Sequence, residues 1–504
     1  MVNDHREEEH VVKTSSTMLA TFTATLANGT HTGIVTSGDM ISTSKVAVIE
    51  LHAASDQLVL QGRNEYLYRY QDRRDLFCPV LLLRNAMKVQ SWFKSRTYTH
   101  FDFSCHNFEE LQRRITNASE VSRWNFFPFL KFTLKTTKFS RKKGKTTKER
   151  PIMYSCHADA HLYSYYKDIL SRLYENKIQK DNIQTSILAF RKIGRRCNIH
   201  FANDAFNSIL KKGPCSVLTF DIHSFFDKIP HNILKSKWAE LLDATHLPLD
   251  HYKIFKSLTR FSFVEKNEVD NLFKSGQLNI AKKRICTIND FRDTIRAQGL
   301  IKTNQSSFGI PQGSPISGLL SNIVLLDFDK SMSNAAKTHN AVYYRYCDDI
   351  IIICNTTDHT VFTDLVNKQL DAMELSCNDK SKRHTFTYEG TTLRCDSPLQ
   401  YLGFMFDGTN TFIRSSSLGK FKVKMKNRIE ASILSKIKNN ERRLSEGKTP
   451  RNLFKKSLLS RNTHFGKRNF IRYGLRAQAI MNSRTMRRQL SKLDREFTNL
   501  TRHE

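Results

Sequence analysis

A pair of aspartates set between two apolar runs constrains this chain more than any other feature. Ala341-Val342-Tyr343-Tyr344-Arg345-Tyr346-Cys347 leads into Asp348-Asp349, and Ile350-Ile351-Ile352-Ile353-Cys354 follows at once. Apolar residues on both sides of a tight polar centre predict a β-hairpin with both carboxylates at its tip. Two carboxylates between strands are costly unless their charge is offset, and a divalent cation is the usual counterion. Taken alone, the tetrapeptide around the aspartates is weak evidence and fits a solvated turn better.

Two upstream pieces remove that ambiguity. Ser216-Val217-Leu218-Thr219-Phe220-Asp221 is a short apolar strand ending in an aspartate. A helix is expected from about Pro230, because proline sits well in a first turn. Phe308-Gly309-Ile310-Pro311-Gln312-Gly313-Ser314-Pro315 is a Gly/Pro-rich loop opening a helix, with Ser314 and Pro315 suited to its N-terminus. An acidic strand end, a glycine loop and an acidic hairpin in that order are far more specific together than singly.

In these residues the chain resembles the reverse transcriptases. Asp221 matches the aspartate of their motif A, Gly309 to Pro315 their motif B loop, and Tyr346 to Asp349 their motif C. Arg150-Pro151-Ile152 with His161-Leu162-Tyr163 looks like the fingers motif that grips the incoming nucleotide. Tyr401-Leu402-Gly403-Phe404, with Asp407-Gly408 as its turn, resembles the primer-grip hairpin. The likeness covers about residues 120 to 425. It implies an α+β right-hand polymerase with fingers, palm and helical thumb. The implied activity is that of an RNA-directed DNA polymerase, a nucleotidyltransferase using deoxynucleoside triphosphates, an RNA template and a DNA product.

Phosphoryl transfer to a 3′ end uses two divalent metals about 3.5–4 Å apart. Mg²⁺ takes hard oxygen ligands and keeps several waters, so a few carboxylates suffice. Asp221 and Asp348 are the expected ligands of two Mg²⁺ ions, Asp349 is a supporting carboxylate, and the backbone carbonyl of Ile222 is a further ligand. Phe226 stands where the family places an aromatic beneath the sugar, which excludes a 2′-hydroxyl and favours deoxynucleotides. Gln312 and Gly313 would line the floor under the nascent base pair, where glycine lets backbone approach closely. Arg150 is the expected triphosphate clamp, since a guanidinium binds phosphate oxygens bidentately, with Lys148 second. Asn378-Asp379-Lys380-Ser381-Lys382 offers two lysines for the family's motif D role of protonating pyrophosphate. Spacing does not separate them, and Lys380 is preferred.

With 80 Lys and Arg against 48 Asp and Glu, the formal charge is +32, which calls for a polyanionic partner. The charge is concentrated at one end. Residues 420–504 hold 24 Lys and Arg against 6 acids, a net of +18, on a helically spaced apolar pattern through Phe421, Met425 and Ile429. Basic helices of that kind fit a thumb closing on a nucleic-acid duplex. Arg141-Lys142-Lys143-Gly144-Lys145 reads as a basic fingers loop. The 10 cysteines form no C-x-x-C pair, and Cys347 and Cys354 flank the acidic hairpin, so a reducing cytoplasm is expected. No apolar run is long enough to span a bilayer and no secretory leader is read, so no membrane partner is expected.

Four segments follow. The first 60 residues lack sustained periodicity and Glu65 to Leu83 is the one amphipathic piece before residue 87, so residues 1–86 are expected to be poorly ordered or a non-native extension, with Met87 as the expected translation start. Residues 87–215 hold N-terminal helices and fingers, 216–408 the palm, and 409–504 the basic helical thumb. Gln90-Ser91-Trp92-Phe93-Lys94, with the acidic hairpin and Tyr401 to Phe404, is similar to the first enzymes of the type 3 bacterial defence reverse transcriptases. That likeness implies antiviral defence, a structured non-coding RNA and a second reverse transcriptase alongside. An intron-encoded splicing factor and a non-catalytic RNA scaffold remain as alternatives, the intact aspartates speaking against the second.

Overall fold

The chain divides into two units, Met1–Val89 and Gln90–Glu504. The computed structural model describes residues 92–502 apart from 105–107, 141–143, 280, 282 and 379–380, together with five strands of the first unit. In that first unit β1 (Val12–Thr14), β2 (Thr17–Leu26) and β3 (Gly29–Ser37) form an antiparallel sheet, and β4 (Glu50–Ala54) pairs with β5 (Gln57–Gln61). In β2 Met18, Ala20, Phe22, Ala24 and Leu26 recur at every second position, mostly between threonines, a strand pattern that the reading of the first 60 residues as lacking periodicity passed over.

Two sheets organise the second unit. A long hairpin, β6 (Phe129–Ser140) and β7 (Gly144–Tyr154), is extended by β9 (Ser262–Glu265) and β10 (Lys302–Thr303) in the order β10-β9-β6-β7. The central sheet runs β11-β12-β8-β13-β14 and is antiparallel throughout. Its strands are β8 (Cys215–Asp221), β11 (Val342–Tyr346), β12 (Asp349–Cys354), β13 (Lys382–Glu389) and β14 (Thr392–Cys395).

Side chains alternate across a strand, so a run of four isoleucines demands cover on both sheet faces. Ile350 and Ile352 join Leu218 and Phe220 in one core, under α1 (His157–Lys180), α3 (Ser317–Val324), α4 (Leu326–Thr338) and α5 (His359–Asp371). Ile351 and Ile353 join Val217 in another, with α2 (Asn198–Lys212) and the C-terminal helices. Each fully buried isoleucine contributes about 1.5–3 kcal/mol, and the two-sided burial fixes the register. A one-residue slip would exchange the two isoleucine sets and move the aspartates to the wrong face.

Beyond this sheet, β15 (Leu399–Tyr401), β16 (Phe404–Phe406) and β17 (Thr411–Ile413) form a small antiparallel meander. Four helices follow: α6 (Ser415–Ser445), α7 (Lys455–Asn462), α8 (Phe470–Ile480) and α9 (Arg484–Thr501). The basic C-terminal stretch is thus helical, as its spacing predicts. Among the described residues no helix is long and apolar enough to cross a membrane.

Candidate active site

β8 and β12 lie side by side with Asp221 paired directly against Asp349. Opposed residues of an antiparallel pair have Cα atoms about 4.5–5.5 Å apart and side chains on one face. Asp348 occupies the turn between β11 and β12, and the Ile222 N–H donates to its carbonyl at 3.3 Å. The three aspartates therefore lie together where a strand end meets a hairpin, although their carboxylate oxygens do not all come within 4.8 Å of one another. Asp349 is the first residue of β12 rather than part of the tip. The turn owes its shape to Cys347, a non-glycine residue at φ +61°, in the left-handed region.

Like charges crowd here. Desolvation, then Asp348 and Asp221, raise the Asp349 carboxyl to about 7. Its side chain is open to solvent on one side, which tempers the desolvation and leaves the neighbouring carboxylates as the firmer cause. Both charges acting on Asp349 are negative. Hard carboxylate oxygens crowded by like charge fit a divalent cation.

The motif B loop is pinned to both neighbours of this cluster. The Ile310 N–H donates to the Phe226 carbonyl at 2.9 Å, and the Met153 N–H of β7 donates to the Gln312 carbonyl at 2.9 Å. Gly313 sits at φ +129°, and a Cβ there would overlap the Met153 carbonyl oxygen. Only glycine fits such an approach. The helix expected at Ser314 and Pro315 begins later, at Ser317. Ser314 is buried with its hydroxyl unpartnered, while the Ser317 hydroxyl donates to the Pro311 carbonyl at 2.7 Å.

Arg150 lies exposed on β7, opposite Leu134 and three residues before Met153, so its strand runs to the motif B loop. Lys148 is exposed opposite Thr136. Phe226 is half-buried, with its ring edge-on to Phe190 at 6.4 Å. Ile222 is buried, and Gln312 is half-buried. Lys380 lies outside the described residues. Lys382 opens β13 opposite Thr219, on the sheet face that carries the Asp221 side chain. His161 packs inward, stacked on Phe93 at 4.1 Å, with Arg96 3.1 Å from its Nδ1. The turn between Tyr401 and Phe404 is Leu402-Gly403, whereas Asp407-Gly408 belongs to the next turn, joining β16 to β17.

Three features escaped the sequence reading. Asn378 donates its backbone N–H to the Asp221 carbonyl at 2.7 Å, and its side-chain amide lies 3.4 Å from an Asp221 carboxylate oxygen. It stands in the stretch read only for its lysines. Phe190, at φ +60° and 44% exposed, faces Phe226. Nothing in its neighbourhood marks it out.

The third feature is a fully buried network. The Arg345 Nε donates to Asp329 at 2.7 Å, and its Nη1 donates to Asn322 Oδ1 at 3.1 Å and to the Cys347 carbonyl at 3.0 Å. The Tyr343 hydroxyl donates to Asp329 at 2.6 Å, and Asn322 donates to the Ala189 carbonyl at 2.9 Å. Burial alone would lower the Arg345 pKa, but Asp329 more than reverses this and the guanidinium stays charged. One arginine thus ties the strained turn before Asp348 to α4.

The comparison with known families agrees with this geometry. The family profile described as reverse transcriptase (RNA-dependent DNA polymerase) matches residues 140–406, more than half of the chain. The chain belongs to the reverse transcriptase family, and its fold is that of a right-hand polymerase. The matched domain is that of an RNA-directed DNA polymerase, a nucleotidyltransferase.

Among solved structures, apo telomerase from Candida tropicalis truncated from its C-terminal domain matches at 12% identity and TM-score 0.38, covering 56% of this chain and 57% of that one. Telomerase from Candida albicans in complex with a TWJ fragment of telomeric RNA matches at 13% identity and TM-score 0.34, covering 67% and 58%. The chain thus spans little more than half the length of these telomerase chains. No curated protein matches it.

Proposed function

We propose that the chain is an RNA-directed DNA polymerase that adds deoxynucleotides to a 3′ end by two-metal phosphoryl transfer in antiviral defence. The observation that carries the polymerase reading is the pairing of Asp221 with Asp349, beside Asp348 and next to the motif B loop. Asp221 and Asp348 would hold two Mg²⁺ ions, with Asp349 and the Ile222 carbonyl in support. Once bound there, such ions lower the pKa of an attacking hydroxyl and neutralise a leaving pyrophosphate.

The chain's own residues would do the rest. Arg150 and Lys148 would hold the triphosphate, and Gln312 and Gly313 would floor the nascent pair. Phe226, backed by Phe190, would exclude a 2′-hydroxyl. Lys380 or Lys382 would give a proton to the leaving pyrophosphate. Residues 87–215, 216–408 and 409–504 would act as fingers, palm and thumb. Residues 1–86 would be dispensable for synthesis, a reading supported by the division between Val89 and Gln90.

The defence role rests on the likeness of Gln90 to Lys94 and the acidic hairpin to the type 3 enzymes. It brings a structured non-coding RNA and a second reverse transcriptase as partners, in the cytoplasm. The polymerase reading is tested by extending a DNA primer on an RNA template with deoxynucleotides. Synthesis that stops on chelation is expected, and a wild-type protein unable to copy RNA would overturn it. Plaque counts on cells carrying the native locus with Asp348→Ala test the defence role. Undiminished protection would refute it.

A further inference from the structure

We propose that the C-terminal helices hold a second nucleic-acid site, a cleft for a single strand, separate from the surface that would grip duplex. The inference refines the reading of the basic C-terminal region as a nucleic-acid surface and rests on it. The cleft has a volume of about 1340 Å³ and is bounded by α6, α7 and the loop between α7 and α8. Every lining residue lies between Ser417 and Phe470, and none comes from the strands that carry Asp221, Asp348 and Asp349.

Its charge is of one sign. Lys420, Lys424 and Arg428 line it from α6, one per helical turn of about 5.4 Å, a repeat near that of phosphates along a stretched strand. Lys456 and Arg461 face it from α7, and Lys467 and Arg468 from the loop. No carboxylate lines the cleft. The next cations of α6 behave differently: Lys422 and Lys426 reach Glu496 on α9 at 2.9 and 3.7 Å. The acids of the region therefore compensate one face of α6 and leave the concave face bare. A concave, uncompensated cationic surface attracts a polyanion.

The aromatic component points to unpaired bases. Phe465 is 68% exposed on the rim, against the His464 ring at 4.1 Å, while Phe421 and Phe470 stack at 4.9 Å in the lining. The loop presenting Phe465 is tightly built. Asn469 donates to the Ser460 and Thr463 carbonyls at 2.9 and 2.6 Å, and a Cβ on Gly466 would overlap the Ser460 carbonyl oxygen. A rigid loop holding a phenylalanine in water beside seven cations is a stacking platform in a phosphate-binding groove. A duplex, its bases already stacked, could use the cations but not the ring.

The test reads equilibrium binding without metal or nucleotides, so it is independent of polymerase activity. The probes are an unstructured 12-nucleotide RNA, the same sequence in DNA, and an RNA–DNA duplex. Phe465→Ala, a surface change, should weaken single-strand binding about tenfold and duplex binding less than about twofold. Replacing Lys456, Lys467 and Arg468 with Gln should flatten the single-strand salt slope by about 2. A loss confined to RNA or to DNA names the strand and supports the site. Equal losses on duplex and single strand, or no loss on either, would overturn it. Equal competition by phosphatidylserine vesicles would also overturn it, showing a surface for any polyanion.

Discussion

Arg345 does two separable things, and mutation can part them. Its guanidinium neutralises Asp329 inside the core, and one of its N–H groups holds the Cys347 carbonyl next to Asp348. Arg345→Met leaves Asp329 buried with only the Tyr343 hydroxyl against it. Breaking a buried pair in this way costs about 3–5 kcal/mol. Converting the whole group, Arg345→Met with Asp329→Leu and Tyr343→Phe, removes the stranded charge and should recover most of that stability. The bond to Cys347 is not recovered. A hydrogen bond from a charged donor contributes about 1.5–3 kcal/mol, and the turn it holds has an unfavourable backbone conformation. The triple variant should therefore fold well and still extend primers at least about tenfold more slowly, at 1.36 kcal/mol per decade. Urea unfolding and primer extension on the three proteins decide the matter. Restored extension in the triple variant, or a cost below about 1 kcal/mol in the single one, would refute the reasoning.

Phe226→Ala should raise ribonucleotide use relative to deoxynucleotide use by about tenfold, read by single-nucleotide incorporation. Because Phe226 is only half-buried, the stability cost should stay near 1–2 kcal/mol, roughly. Gly313→Ala should depress extension sharply, because its Cβ meets the Met153 carbonyl and would break the Met153–Gln312 bond. A wild-type rate in that variant would mean the loop docks elsewhere. His100 is fully buried, and burial lowers its pKa from 6.5 to about 4. As pH falls the unfolded chain takes the proton first, so stability is lost between 6.5 and about 4, by at most about 3 kcal/mol. His100→Leu should flatten that part of the pH–stability curve, measured by thermal melts.

What the sequence revealed was what repeats a local rule. The isoleucine run and Ser216 to Asp221 are strands because their apolar pattern has no other use. The glycine and proline spacing of residues 309–315 marks a loop that must pass close to other backbone, and Gly313 does so. Features made by distant residues were not legible. Asp329 looks like an ordinary helix acid until Arg345, sixteen residues on, turns inward to meet it. Phe190 acquires its place only when the chain before β8 folds back beside Phe226. The helix start shifted from Ser314 to Ser317 because Ser317, not Ser314, finds a backbone partner in the Pro311 carbonyl. His161 fits a family pattern but is held in the core by Phe93 and Arg96, partners that local spacing does not name.

The central claim is that Asp221, Asp348 and Asp349 gather two divalent ions for nucleotidyl transfer. Counting bound Mn²⁺ by electron paramagnetic resonance tests this most directly, using a complex stalled with a chain-terminated primer on RNA and the next deoxynucleotide. Wild-type protein should hold two ions there, while Asp221→Asn and Asp348→Asn, still folded by thermal melt, should hold fewer and fail to extend an ordinary primer. Two tightly held ions and undiminished extension in Asp348→Asn would contradict the account.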